Sequence, residues 1–153
     1  MAQQRPILIA GPTASGKSAL ALRLADEVGG VIVNADSMQV YAELEILTAR
    51  PSAAEQGQVS HRLYGHVPVA EAYSVGRYVR EAEAALAEVS ARGLVPIFVG
   101  GTGLYMRILL HDVLPMPPSD PAARALLERE AEEKGTQSLH RRLSGVDPVT
   151  AAL

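Results

Sequence analysis

Apolar and polar residues fall along this chain in blocks whose lengths and periods separate strands from helices. "PILIAG" at 6–11 is a short continuous apolar run closed by glycine, the pattern of a parallel strand buried on both faces. "KSALALRLADEVG" follows at 17–29. It has Ala19, Leu22 and Val28 or Leu24 near helical spacing, and Gly29-Gly30 as a stop. "VIVNAD" at 31–36 is a second strand-like run. "SVGRYVREAEAALAEVSARG" at 74–93 predicts a long amphipathic helix, capped by Ser74 and closed by Gly93. "VPIFVGGTG" at 95–103 predicts a third buried strand, and "LYMRILLHDVL" at 104–114 a helix after it.

Strand alternating with helix three times predicts an α/β fold, a doubly wound parallel sheet of P-loop NTPase type spanning 1–114. "LPMPPSDP" holds four of the ten prolines and breaks the pattern, which predicts a linker over 115–121. Residues 122–153 are polar and helical in two pieces divided at Gly135, the start of an inserted helical subdomain, and "DPVTAAL" opens a further helix. No repeat or low-complexity tract interrupts this order.

Composition narrows the chemistry. The 153 residues are 48% hydrophobic and 20% charged, ordinary values for a globular chain of about one domain. Without cysteine there are no disulfides or thiolate metal sites, and His61, His66, His111 and His140 show no metal-ligand spacing. A net charge of −3 gives no global pull toward nucleic acid, so RNA binding needs a local patch or residues beyond this chain. The N-terminal apolar run is too short for a signal peptide and no stretch reaches the ~20 apolar residues of a membrane span, which makes the cytoplasm the expected location.

"GPTASGKS" at 11–18 satisfies G-x-x-x-x-G-K-[ST], between a predicted strand and a predicted helix as the motif requires. Gly11 and Gly16 let the backbone of Pro12, Thr13, Ala14 and Ser15 turn its N–H groups onto phosphate oxygens. The helix N-terminus adds partial positive charge. Lys17 supplies a mobile cation, and the Ser18 hydroxyl is a candidate Mg²⁺ ligand. A nucleoside triphosphatase has an acid at the end of a second apolar strand, but "VPIFVGG" ends in Gly100-Gly101-Thr102. The acid at a strand end is Asp36, expected beside the cradle at the carboxyl ends of the strands. Spacing alone leaves it a metal ligand, a helix N-cap or a base for an incoming nucleophile.

"GPTASGKS", "ADSMQVY" at 35–41, "TARPS" at 48–52 and "VGGTGLY" at 99–105 together resemble the tRNA dimethylallyltransferases, also called tRNA isopentenyltransferases. "YSVGRY" at 73–78 resembles the same family's segment before its long helix. The resemblance implies that the P-loop holds dimethylallyl diphosphate with Mg²⁺. The five-carbon group then passes to N6 of the adenosine 3′ of the anticodon in tRNA. It implies Asp36 as general base, with Lys17 and Thr102 completing the catalytic set. Ser37, Met38 and Gln39 would contact the flipped base and its neighbours, and Thr102 and Arg124 the tRNA. It also implies a usually monomeric enzyme about twice this length, with the match confined to the N-terminal half.

Two positions depart from the family pattern. Leu47 stands where a glycine usually precedes the threonine, predicting a shifted loop, and Arg50 replaces a lysine, predicting altered phosphate geometry. Thr48 remains a candidate phosphate or substrate contact. "HRR" at 140–142 fits a solvated face better than an RNA contact, and Tyr41 and Tyr105 fit core packing as well as base stacking. No role is assigned to His61 and Arg62. The competing functions are a nucleotide- or shikimate-type kinase, a prenyltransferase acting on free adenylate, and an inactive diphosphate-binding fragment.

Overall fold

The computed structural model describes residues 5–111 and 120–153, which fall into two compact units, one from each range. The first is built on four parallel strands: β1 (Ile7–Ala10), β2 (Gly30–Asn34), β3 (His61–Arg62) and β4 (Val95–Gly100), in the order β1-β4-β2-β3. Helices α1 (Lys17–Val28), α2 (Ala53–Gln58) and α3 (Val75–Ala91) connect them, and α4 (Gly103–Leu110) follows β4.

The period of two along each strand explains why the sheet is covered on both faces. Ile32, Ile97 and Val99 pack with Ala21 and Ala25 of α1. Their strand neighbours Val33 and Phe98 turn to the other face, against Tyr78, Ala82 and Ala85 of α3 and Tyr105 and Met106 of α4. Tyr105 stacks on Tyr78 with ring centroids 3.6 Å apart and is 3% exposed, so it is a core residue and its face is closed to a base.

The predicted strands and helices of this unit appear within a few residues of their expected bounds. Ser74 caps α3 by accepting the Arg77 N–H, and the last described helix is shorter than predicted, with residues 112–114 lying outside the described part. Two elements were not anticipated. Strand β3 pairs with β2 over only two positions and carries no periodic signal. Helix α2 is six residues long, and its N-terminus is a capping box in which Ser52 accepts the Glu55 N–H and Glu55 accepts the Ser52 N–H.

In the second unit, helices α5 (Pro121–Lys134), α6 (Thr136–Val146) and α7 (Pro148–Ala151) follow one another. The proline-rich linker lies outside the described residues except for Asp120, the α5 N-cap, and Pro121, its first residue. Glu130 joins α5 to α6 through Arg142 at 3.0 Å, so one arginine of the "HRR" cluster is held in an ion pair. No residue of these three helices is buried, and Leu126, Val146 and Val149 stand exposed.

The strand ends of the first unit meet unusually closely. A Cβ at Gly100 would overlap the Ala35 carbonyl and stand 2.7 Å from the Asp36 nitrogen, because Ala35 N–H donates to Val99 O at 2.8 Å and draws β2 against β4. The Gly100→Ala variant is expected to lose about 1–3 kcal/mol or more, measured as a shift in the denaturant midpoint; an unchanged midpoint would show that the two chains separate freely there.

On α3, Glu81 gathers three donors: Tyr73 Oη at 2.5 Å, His66 Nε2 at 2.7 Å and Arg77 Nε at 2.8 Å. Burial raises its pKa, but the hydrogen bonds from Tyr73, Arg77 and His66 outweigh that and hold the carboxyl down at about 2. A carboxyl depressed from its ordinary 4.5 stabilises the fold fully above about pH 4.5, and that contribution drains as pH falls toward 2. Glu81→Gln should cost about 1–3 kcal/mol at neutral pH and flatten stability between pH 4.5 and 2 relative to the parent, as followed by acid-dependent denaturant melts.

Candidate functional site

The segment from Gly11 to Ser18 leaves β1 and becomes the start of α1. Gly16 sits at φ 82 and ψ 4, a left-handed conformation that glycine adopts without strain, and Ala14 sits at φ 63. These two reversals curl the loop, which is closed by Ser15 N–H on Pro12 O at 3.3 Å and by Lys17 Nζ on the same carbonyl at 3.1 Å. Gly16 is the N-cap of α1 and no side chain caps the helix. The unpaired N–H groups at its start, with the positive end of the helix dipole, form an anion site. Ser18 is exposed on the first turn.

Asp36 lies two residues beyond β2. The sequence expectation put it beside the cradle, but β4 runs between β2 and β1. The gap is bridged because β4 ends in two glycines. A Cβ at Gly101 would stand 3.2 Å from Gly11 O and 3.7 Å from Asp36 Oδ2, so the carboxylate reaches toward the first residue of the cradle across bare backbone. Asp36 Oδ1 accepts the Met38 N–H at 2.9 Å, which fixes the carboxylate in a local turn. No helix starts there, since the next one begins at Ala53, and the N-cap alternative is excluded. The Asp36 charge is felt nearby: burial first, and Asp36 second, push the Tyr64 hydroxyl above the usual phenol range.

Thr102 joins the same cluster from the N-terminus of α4. Its Oγ1 accepts the Ser37 N–H at 2.9 Å and lies 3.3 Å from Ser37 Oγ, to which it donates. Met38 is exposed beside it. Gln39 turns inward instead, its side-chain nitrogen donating to Thr48 O at 2.8 Å and Ala49 O at 3.1 Å. Thr48 donates its hydroxyl proton to Leu44 O at 2.6 Å. Arg124 is on α5 in the second unit, exposed and paired with Glu128 at 2.8 Å.

Each of the two departures from the family pattern has a definite place in the loop after Asp36. Leu47 is not in the left-handed region. Ala49 is, at φ 50, so the reversal sits two residues later and Leu47 simply projects, 81% exposed. Arg50 is not presented to a phosphate. Its Nη1 donates to the carbonyls of Tyr41 and Ala42, each at 3.1 Å, and its Nη2 pairs with Glu45 at 3.3 Å. It braces the loop from inside.

One buried residue at the site was passed over in the sequence. Asn34, at the end of β2, has no exposed surface and bonds Asp36 and Leu63. The signal available was a polar residue closing the apolar run "VIV" just before the acid. For a metal, the described residues hold no cluster of three or more His, Cys, Asp or Glu at ligating distance. At the start of α1 the fold presents the exposed Ser18 hydroxyl, a neutral oxygen donor. Such a donor suits a Mg²⁺ ion that takes its remaining ligands from phosphate and water.

Comparison with known proteins identifies the family and the fold. The family model for isopentenyl transferase matches residues 5–67. The tRNA dimethylallyltransferase of Sinorhizobium medicae is 54% identical over 145 residues, 95% of this chain and 48% of that protein. The full-length tRNA isopentenylpyrophosphate transferase of Bacillus halodurans superposes with a TM-score of 0.71 at 36% identity, over 97% of this chain and 50% of that one. A eukaryotic dimethylallyltransferase acting on tRNA superposes with a TM-score of 0.82 at 30% identity, over 97% and 37%. The chain thus spans about half the length of the curated relatives it matches. With the family model for IPP transferase matching residues 39–153, three quarters of the sequence, the chain belongs to the IPP transferase family.

Proposed function

We propose that the enzyme carrying this chain transfers a dimethylallyl group from dimethylallyl diphosphate to N6 of the adenosine 3′ of the anticodon in tRNA. The observation that carries the proposal is the approach of Asp36 Oδ2 to Gly11 across Gly101, which brings a carboxylate to the mouth of a phosphate cradle. A kinase would have its acid at the end of the apolar strand nearest the cradle, whereas here that strand, β4, ends in glycine. The relatives carry tRNA dimethylallyltransferase as their name, which favours tRNA over free adenylate as acceptor.

The chemistry divides between the two ends of the site. The bond from C1 of the allyl group to the diphosphate oxygen breaks, and the electron pair leaves with the diphosphate. The loop amides, the α1 N-terminus and Lys17 would stabilise that charge as preorganised donors. Mg²⁺, held by Ser18 and the diphosphate, would neutralise the same oxygens. The N6 lone pair forms the new bond to C1, and Asp36 accepts the N6 proton as it becomes acidic. The base must first leave its stack, at a cost of a few kcal/mol. Ser37, Met38 and Thr102 line the side of Asp36 from which it would enter, and Gln39 would act by holding the adjoining loop. Arg124 is assigned to tRNA contact. We assign the enzyme to the cytoplasm, where its acceptor tRNA is available; no described helix is long and apolar enough to cross a membrane.

In the full-length enzyme, Asp36→Ala is expected to slow transfer by roughly 10²–10⁴-fold while dimethylallyl diphosphate binding stays within a fewfold by calorimetry. An equal loss of binding would make Asp36 chiefly a metal ligand. Lys17→Ala should weaken diphosphate binding itself, by roughly tenfold or more for a charged hydrogen bond, and unchanged affinity would undo the cradle assignment. Prenylation of AMP in preference to an anticodon stem-loop would replace tRNA as acceptor.

A further inference from the structure

We infer that Asn34 is the positioning residue for Asp36, fixing where its carboxylate stands relative to the cradle; the inference rests on Asp36 being the base of the proposed transfer. Asn34 is the buried polar residue of the described core, with 0% exposure at the end of an otherwise apolar strand. A polar side chain is costly there unless every group is bonded. Its Oδ1 accepts the Asp36 N–H at 2.9 Å, and its Nδ2 donates to the Asp36 carbonyl at 2.8 Å. One amide therefore holds both backbone polar groups of Asp36.

The same Nδ2 donates to Leu63 O at 3.0 Å, and Leu63 stands at φ 64, where a branched side chain is strained and must be held. The fully buried Tyr78 adds a bond from α3, its hydroxyl donating to Asn34 O at 3.2 Å. The segment bearing Asp36 is thus tied to β2 and to the chain after β3 through the Asn34 side chain, while the Asn34 carbonyl is tied to α3 through Tyr78. With its backbone fixed and Oδ1 held by Met38, Oδ2 is left aimed at Gly101.

Asparagine alone meets this demand. It carries one acceptor and two N–H donors at this length, whereas aspartate has no donors when ionised, and serine is too short to reach both carbonyls. A displacement of about 1 Å at a catalytic group can cost about 10²-fold in rate, which sets the scale expected.

The test uses the full-length enzyme with dimethylallyl diphosphate and an anticodon stem-loop, measuring single-turnover transfer and prenyl-diphosphate affinity in Asn34→Ala, Asp36→Ala and the double variant. Asn34→Ala is expected to slow transfer by about 10–10²-fold while the diphosphate Kd moves less than about threefold. On the Asp36→Ala background the same change should alter the residual rate by less than about twofold, because a residue acting through Asp36 has nothing left to position. Should Asn34→Ala not fold, Asn34→Ser, neutral and polar but too short to reach both carbonyls, is expected to show the same slow transfer with diphosphate affinity intact. Transfer at the parent rate in the folded variant overturns the inference. So does an equal loss with and without Asp36, which would mark a general structural role. Asp36→Ala transferring at the parent rate would instead bring down the base assignment itself, and this inference with it.

Discussion

The site depends on how closely the end of β4 lies against the end of β2. Ala35 N–H bonds to Val99 O, and the Ala35 carbonyl occupies the space that a side chain at Gly100 would need. Remove that approach and Asp36 moves away from Gly11, since a whole strand stands between β1 and β2. Gly100 and Gly101 stand where a nucleoside triphosphatase has its acidic residue. They clear the ground between phosphate cradle and carboxylate, and let the acid come from the next strand over.

A second constraint is that the segment after Asp36 is braced by its own side chains. Gln39, Thr48 and Arg50 all turn onto backbone carbonyls of residues 41–49. Each was a reasonable substrate or phosphate contact by its chemistry, and each is engaged within the protein. The reason is topological: no helix or strand covers residues 42–50, so their carbonyls need side-chain donors. What remains outside this bracing is smaller, comprising the Asp36 Oδ2 near Gly101, the Ser37–Thr102 hydroxyl pair and the exposed Met38.

Glu81 provides the matching brace from the far side. By binding Tyr73, His66 and Arg77 it holds the loop between β3 and α3, and that loop in turn pairs with the segment after Asp36 through Val67 N–H on Val40 O and Ala42 N–H on Val67 O. A charge well outside the cradle therefore supports the geometry beside it, through hydrogen bonds rather than through any field acting on the substrate.

The sequence by itself determined the elements and the cradle. Continuous apolar runs mark β1, β2 and β4, helical periodicity with caps marks α1 and α3, and the cradle motif needs only local backbone, so all are written within a few residues of where they act. The identity of Asp36 as the acid at a strand end was legible for the same reason. The rest required the tertiary structure. Strand order decides that β4 intervenes, and only packing shows that its glycines admit Asp36. Strand β3 is two residues long and exists because β2 offers it an edge, not because its own sequence prefers it. The inward turn of Gln39 and Arg50, the reversal at Ala49 rather than Leu47, and the grip of Asn34 on Asp36 are all bonds to partners fixed by the surrounding fold. A side chain's chemistry is local, but what it bonds to is decided by which backbone groups the packed chain leaves without a partner.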